Sequence, residues 1–118
     1  MQEILLVVND SPYGSEKAYN ALRTAMNLQK KDEEVQVNIF LLDDGVIAAK
    51  ANQQTPKGYY NVERMFKAVL RKDGFVKTWG SCSETRGVSK EEMIDGIEVS
   101  GMADYTDWVL SADKVLTF

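Results

Sequence analysis

The residue with the clearest chemical potential in this chain is Cys82, the one cysteine among 118 residues. It lies in the segment 79–87, directly after a short apolar run. Ser81 and Ser83 flank the thiol, and Gly80 precedes it by two residues. This setting is polar and flexible, unlike that of a buried structural cysteine. The segment is therefore predicted to be a loop that carries a candidate nucleophile.

Three features of this segment are expected to favour the thiolate form of Cys82. Arg86 would place a cation near the sulfur, and a helix predicted to begin at Ser89 would point its positive end toward the loop. Backbone N–H groups near Gly80 and Gly87 would donate to the sulfur. A thiolate can attack a persulfide or disulfide sulfur without a general base, so sulfur transfer is the favoured chemistry. The candidate supporting residues in this segment are Gly80, Ser81, Ser83 and Arg86.

The absence of histidine excludes several other chemistries. One chain without histidine cannot form a Ser-His-Asp or Cys-His nucleophile pair, and one cysteine cannot form a structural zinc centre. The glycine-rich motifs that bind phosphates in nucleotide-binding folds are also missing. We therefore expect no metal and no cofactor. The alternative to a reactive Cys82 is an unreactive one that serves only as a small residue in a turn.

Composition limits the partners that the protein can have. A net charge of -4 with scattered lysines and arginines argues against nucleic acid, which requires a basic surface. No apolar run approaches the roughly 20 residues that span a bilayer, and the N-terminus lacks the basic region of a signal peptide. A single cysteine agrees with a reducing compartment. The sequence thus predicts a cytoplasmic protein that binds neither nucleic acid nor membrane.

The order of apolar runs and helical patterns predicts an α/β fold in a single domain, residues 1–118. Strands are expected at 4–8, 35–42, 75–79, 97–99 and 114–118. Helices are expected from Ser15, from Asn61 to Gly74, from Ser89 to about Gly96, and over 102–110. The last helix is predicted to have Met102, Tyr105 and Val109 on one face. Strands that alternate with helices indicate a parallel sheet covered on both faces.

Ligands of such folds bind at the carboxyl ends of the strands, where residues 9–15, 43–60 and 79–88 are predicted to lie. This placement makes Asn9, Tyr13 and Tyr59 additional candidate site residues. The irregular segment 46–60 and its tyrosines fit an interface between subunits equally well. A flavodoxin-like ligand site in residues 9–15 is a further alternative, but this loop lacks a hydroxyl-rich phosphate-binding pattern.

Several segments together resemble the DsrE/DsrF-like family, and in particular its small single-domain YchN-type branch. The matching motifs are DSPYGSE at 10–16, GYYN at 58–61, GSC…RG at 80–87, IDGIEV at 94–99 and WVLSADKVLTF at 108–118. The resemblance covers essentially the whole chain. It implies a three-layer α/β/α sandwich with a five-stranded parallel sheet in the order 4-3-2-1-5, and assembly as a homotrimer or homohexamer.

The resemblance also implies a function for Cys82, which occupies the position of the family cysteine. Relatives include sulfur-relay proteins, in which a cysteine carries sulfane sulfur as a persulfide and passes it to a partner. Members of the branch can carry a second cysteine three residues earlier, where this chain has Trp79. What remains is a single-cysteine sulfur carrier or sulfurtransferase with a donor or acceptor protein. The alternative is a non-catalytic oligomeric accessory or binding protein of the same fold.

Overall fold

The computed structural model describes residues 1–118 and shows strands that alternate with helices. The strands are β1 (Glu3–Val8), β2 (Gln36–Leu41), β3 (Phe75–Trp79), β4 (Ile97–Ser100) and β5 (Lys114–Thr117). The α-helices are α1 (Lys17–Lys31), α2 (Val62–Arg71), α3 (Gly80–Thr85) and α4 (Met102–Ser111), with 3₁₀ helices at Asp43–Ala49 and Lys90–Glu92. None of the helices has the length and apolar character that crossing a membrane requires.

The five strands form one parallel sheet in the order β4-β3-β2-β1-β5. This confirms the predicted α/β class and the predicted strand order. β1 lies near the middle of the sheet, where five of its six residues are buried, which explains its uninterrupted apolar run. Because β2 and β3 are neighbours, the segments that follow their carboxyl ends also lie side by side.

The larger part of the core lies between the sheet and the helices α1 and α2. Alternate residues of β1 and β2 face these helices and meet small and branched side chains such as Ala21, Leu22 and Phe66. Asn61 begins α2 as predicted, because its side-chain oxygen accepts a hydrogen bond from the Arg64 N–H at 3.1 Å. The helix ends at Arg71, and Asp73 takes a left-handed conformation directly before Gly74, where the sequence predicts the end.

The opposite face of the sheet is covered by α4, which completes the three layers. Phe40 lies at the centre of this side, and the rings of Trp79, Tyr105 and Trp108 surround it at centroid distances of 5.2 to 5.8 Å. Of the three residues that the sequence places on one face of α4, only Tyr105 packs on this cluster. Met102 and Val109 are exposed, because the sheet selects the stripe that contains the two larger aromatic rings.

The segment after β3 differs from the sequence prediction in two places. Residues 80–85 form the helix α3 rather than a loop, and only the 3₁₀ helix Lys90–Glu92 follows Ser89 instead of a longer helix. The capping box at Ser89 and Glu92 does form. The chain then leaves the helical conformation because the Ile94 N–H donates to the carbonyl of Ala49 at 2.8 Å, which draws it into an extended path.

Candidate functional site

Cys82 is the third residue of α3, at the edge of the sheet where β3 ends. Its thiol is half-buried and packs against the larger of the two core clusters. The helix carries it because Ser83 is buried and donates its hydroxyl proton to the Trp79 carbonyl at 3.1 Å. The structure thus replaces the predicted flexible loop with a short helix that fixes the position of the sulfur.

The sulfur of Cys82 accepts a hydrogen bond from the backbone N–H of Asp43 at 3.3 Å. Asp43 follows β2 and has a φ of 52°, a left-handed conformation that costs energy for a residue with a Cβ. Gly45 holds the same 3₁₀ helix against the sheet, since a Cβ at this position would lie 2.2 Å from the Val8 carbonyl oxygen. The backbone after β2 is therefore packed so that one N–H group points at the thiol.

Arg86 lies one turn after Cys82 and is held by two hydrogen bonds. Its Nε donates to Asp44 Oδ1 at 2.8 Å, and its Nη1 donates to the carbonyl of Cys82 at 3.2 Å. The hydrogen bond to Asp44 raises the pKa of the Arg86 guanidinium above its usual value. The side chain therefore stays positively charged beside the turn that carries the thiol.

The donors expected for the sulfur are different from those observed. The Gly87 N–H donates to the Glu84 carbonyl at 3.1 Å, and Gly80 lines a groove beside α3. Asp43 and Asp44 were missed because in the sequence they look like ordinary turn residues. The predicted strand order could have indicated these two residues. It makes β2 the neighbour of β3, so the residues after β2 lie close to Cys82.

The two serines beside Cys82 have different surroundings. Ser81 is exposed, whereas the buried Ser83 acts on the helix through its bond to the Trp79 carbonyl. Trp79 itself turns to the other side of the sheet and packs on Phe40 and Tyr105. Position 79 thus serves the aromatic core on the α4 side, while the Cys82 thiol packs on the opposite side.

The remaining candidates lie on the same edge of the sheet in a different group of contacts. Tyr13 donates to Gln53 Oε1 at 2.5 Å and accepts the Val62 N–H at 3.0 Å. The ring of Tyr59 stacks on Tyr60 at a centroid distance of 4.5 Å. Burial, followed by the hydrogen bond with Tyr59, raises the pKa of Tyr60 to about 12.

This tyrosine cluster (Tyr13, Tyr19, Tyr59 and Tyr60) ties the segment before α2 to the start of α1. Asn9 belongs to neither group, because its backbone and side-chain N–H groups both donate to the carbonyl of Phe118. No hydrogen bond or ring contact joins Tyr13, Tyr59 or Asn9 to Cys82. The structure therefore brings Arg86 and the residues of α3 to the thiol and leaves these three apart from it.

The fold and the thiol site together define the class of protein to which this chain belongs. It is a small α/β protein with a five-stranded parallel sheet and a single cysteine at the carboxyl edge of β3. The model of the DsrE/DsrF-like family matches residues 2–118, and the chain belongs to this family.

Individual relatives support the same assignment. The protein YchN of Escherichia coli K12 is 38% identical over 118 residues, which is the full length of both chains. Its crystal structure superimposes with a TM-score of 0.95 over all of each chain. A protein of Vibrio vulnificus described as a sulfurtransferase TusD homolog is 30% identical over 96% of this chain and 95% of its own length. The chain is thus similar over nearly its whole length to both of these proteins.

Proposed function

We propose that this protein is a persulfide carrier or sulfurtransferase that acts through Cys82 in a sulfur relay. The observation that carries the proposal is the bond from the Asp43 N–H to the sulfur, beside the protonated Arg86. A backbone donor on the sulfur and a cation one turn away suit a site that handles anionic sulfur, which persulfide transfer requires. The likeness to a sulfurtransferase homolog supports the same chemistry.

The transfer needs no histidine and no added oxidant. The Cys82 thiolate attacks the outer sulfur of a donor persulfide, a new sulfur–sulfur bond forms, and the donor leaves as a thiolate. The outer sulfur keeps the proton of the donor persulfide or loses it to solvent. Delivery is the same reaction in the other direction, in which an acceptor thiolate attacks the outer sulfur on Cys82. The chain has no second cysteine, so the cycle contains no internal disulfide.

We further propose that the protein works in the cytoplasm as a homotrimer or homohexamer and exchanges sulfur with a donor or acceptor protein. A reducing compartment suits a site that depends on one free thiol. Assembly would cover apolar side chains that the single chain leaves exposed, among them Phe75 and Leu110. A non-catalytic accessory role in such an assembly remains the competing function.

The loading half of the reaction is tested by mass spectrometry of the intact protein. We expect wild type incubated with glutathione persulfide under anaerobic conditions to gain the mass of one sulfur atom, and Cys82→Ser to gain none. The control is wild type unfolded in urea, which has the same thiol without the site. Loading that is as fast in the unfolded chain as in the folded one, or equal in the Cys82→Ser variant, contradicts the proposal and favours the accessory role.

A further inference from the structure

A groove of about 830 Å³ lies beside α3, on the face of the helix turned toward β4. Gly80, Ser83 and Glu84 line it from α3, and Gly87 lines it from the turn that follows the helix. Val88, Met93 and Val99 provide the apolar part of the lining. The groove is therefore built on the element that carries the thiol, and small residues line its helical wall.

The shape of the groove suits a segment of another protein more than a small molecule. The groove is open to solvent, whereas small-molecule sites enclose most of their ligand. Val99 lies in the edge strand β4, and 46% of its surface is exposed in the single chain. An exposed valine beside a cleft offers apolar contact to a partner's side chains.

The edge of β4 itself is partly closed to strand addition. The Ile97 N–H donates to the Ile94 carbonyl, and the Lys90 ammonium donates to the Ile97 carbonyl, so both outward-facing backbone groups of Ile97 have partners. A partner that enters the groove must therefore bind mainly through side chains rather than by extending the sheet.

The charged residues of the groove indicate which side chains a partner segment would carry. Glu84 and Glu98 both line the groove and form no ion pair, while the one lysine of the lining, Lys90, is engaged by the Ile97 carbonyl. The Lys90 ammonium keeps its positive charge in that bond, so the lining has two carboxylates and one ammonium and is negative on balance. Apolar lining with unpaired negative charge is complementary to a segment that combines apolar and basic side chains.

We propose that this groove is the docking site for a cationic, apolar segment of a partner protein. The binding follows from the groove alone, whereas the assignment of that partner as the sulfur donor or acceptor of Cys82 rests on the proposed function. The segment would lie against α3, so a partner docked there is held beside the helix that carries the thiol.

The probe is a short fluorescein-labelled peptide in which lysine and leucine alternate between glycines, titrated with the protein and followed by fluorescence anisotropy. We expect the double variant Glu84→Gln/Glu98→Gln to bind it about fivefold more weakly than wild type. The matched control, Glu33→Gln/Glu34→Gln, changes net charge equally at the opposite edge of the sheet and should bind as wild type does. Replacing leucine by serine in the peptide should also weaken binding.

Equal weakening in the two double variants would show attraction by net charge alone and would overturn the proposal, as would the absence of any binding to wild type. A change in the assembly mass of Glu84→Gln/Glu98→Gln, measured by light scattering, would assign the groove to contacts between copies of this chain and also overturn it. Cys82→Ser should bind the peptide unchanged. Failure of sulfur loading with intact peptide binding therefore rejects the proposed function without rejecting the docking site.

Discussion

The thiol of Cys82 is carried by α3, and its surroundings are completed by residues that follow β2. The backbone N–H of Asp43 donates to the sulfur, and the Asp44 carboxylate accepts a hydrogen bond from the Arg86 side chain. Neither aspartate uses its carboxylate on the sulfur. The Asp44 carboxylate instead holds Arg86 where it also donates to the Cys82 carbonyl.

Arg86 is expected to increase the reactivity of Cys82 through its charge. In Arg86→Gln the alkylation rate with iodoacetamide at neutral pH should fall by about threefold, because a nearby cation stabilises the thiolate but is partly screened by solvent. Arg86→Lys keeps the charge and should recover most of the rate. A glutamine variant that reacts as fast as wild type would show that Arg86 has only a structural role.

At the scale of single elements, the conformation of residues 80–85 depends on tertiary contacts that local sequence patterns do not show. Serine, glycine and cysteine have low helix propensity, so residues 80–85 were predicted as a loop. In the structure these residues are helical, Ser83 is buried, and the Val88 N–H donates to the Ser83 carbonyl at the end of the helix. By contrast, α2 was predicted at nearly its observed bounds, because its N-cap and apolar stripe are local signals.

Glu63 is expected to hold the segment before α2 in place in a pH-dependent way. Burial raises the pKa of this carboxyl, but the Gln53 N–H and the Lys67 ammonium lower it by more, so its pKa lies below the ordinary 4.5. A carboxyl with a lowered folded-state pKa stabilises the protein above its ordinary pKa, and this stabilisation is lost as the pH falls through the folded-state value.

We therefore expect Glu63→Gln to lower the free energy of unfolding by about 1.5 kcal/mol at neutral pH, the usual scale for a lost charged hydrogen bond. Urea denaturation at a series of pH values should show the difference from wild type shrinking below the ordinary carboxyl pKa. Glu33→Gln, an exposed residue without an ion pair, serves as the control. A difference that does not change with pH would contradict this role of the ionised carboxylate.

At the scale of the whole molecule, the exposed apolar side chains concentrate on the side covered by α4. Phe75 and Val115 pair in register with Asn38 and Leu5 on that face, and Leu110 projects from α4 with 80% of its surface exposed. One short helix covers only part of this face. An uncovered apolar surface of this kind is typical of a subunit interface.

Leu110→Lys is expected to weaken the proposed assembly, because it places a charge in the apolar surface. Light scattering at micromolar concentration should give a mass several times the 13.3 kDa of one chain for wild type and a lower mass for the variant. Asn27→Lys, on the exposed side of α1, is the charge-matched control. A wild-type mass equal to one chain would contradict the assembly.

More of the fold than of the candidate site could be predicted from the sequence. The apolar runs and the alternation of strands with helices predicted the parallel sheet. The resemblance to the family predicted its strand order. The identity of Cys82 as the candidate nucleophile was evident because it is the one cysteine. Its contact with Asp43 was not, because that contact depends on two segments 39 residues apart and on the close packing of Gly45.

The central claim is that Cys82 takes up sulfur and gives it back. The most direct measurement loads wild type with glutathione persulfide, removes the donor by gel filtration, adds a small thiol acceptor and follows the intact mass. The proposed carrier should lose the one added sulfur and return to its original mass, with the sulfur recovered as persulfide on the acceptor. A protein that never gains the sulfur, or that keeps it in the presence of excess acceptor, would contradict the proposed carrier role.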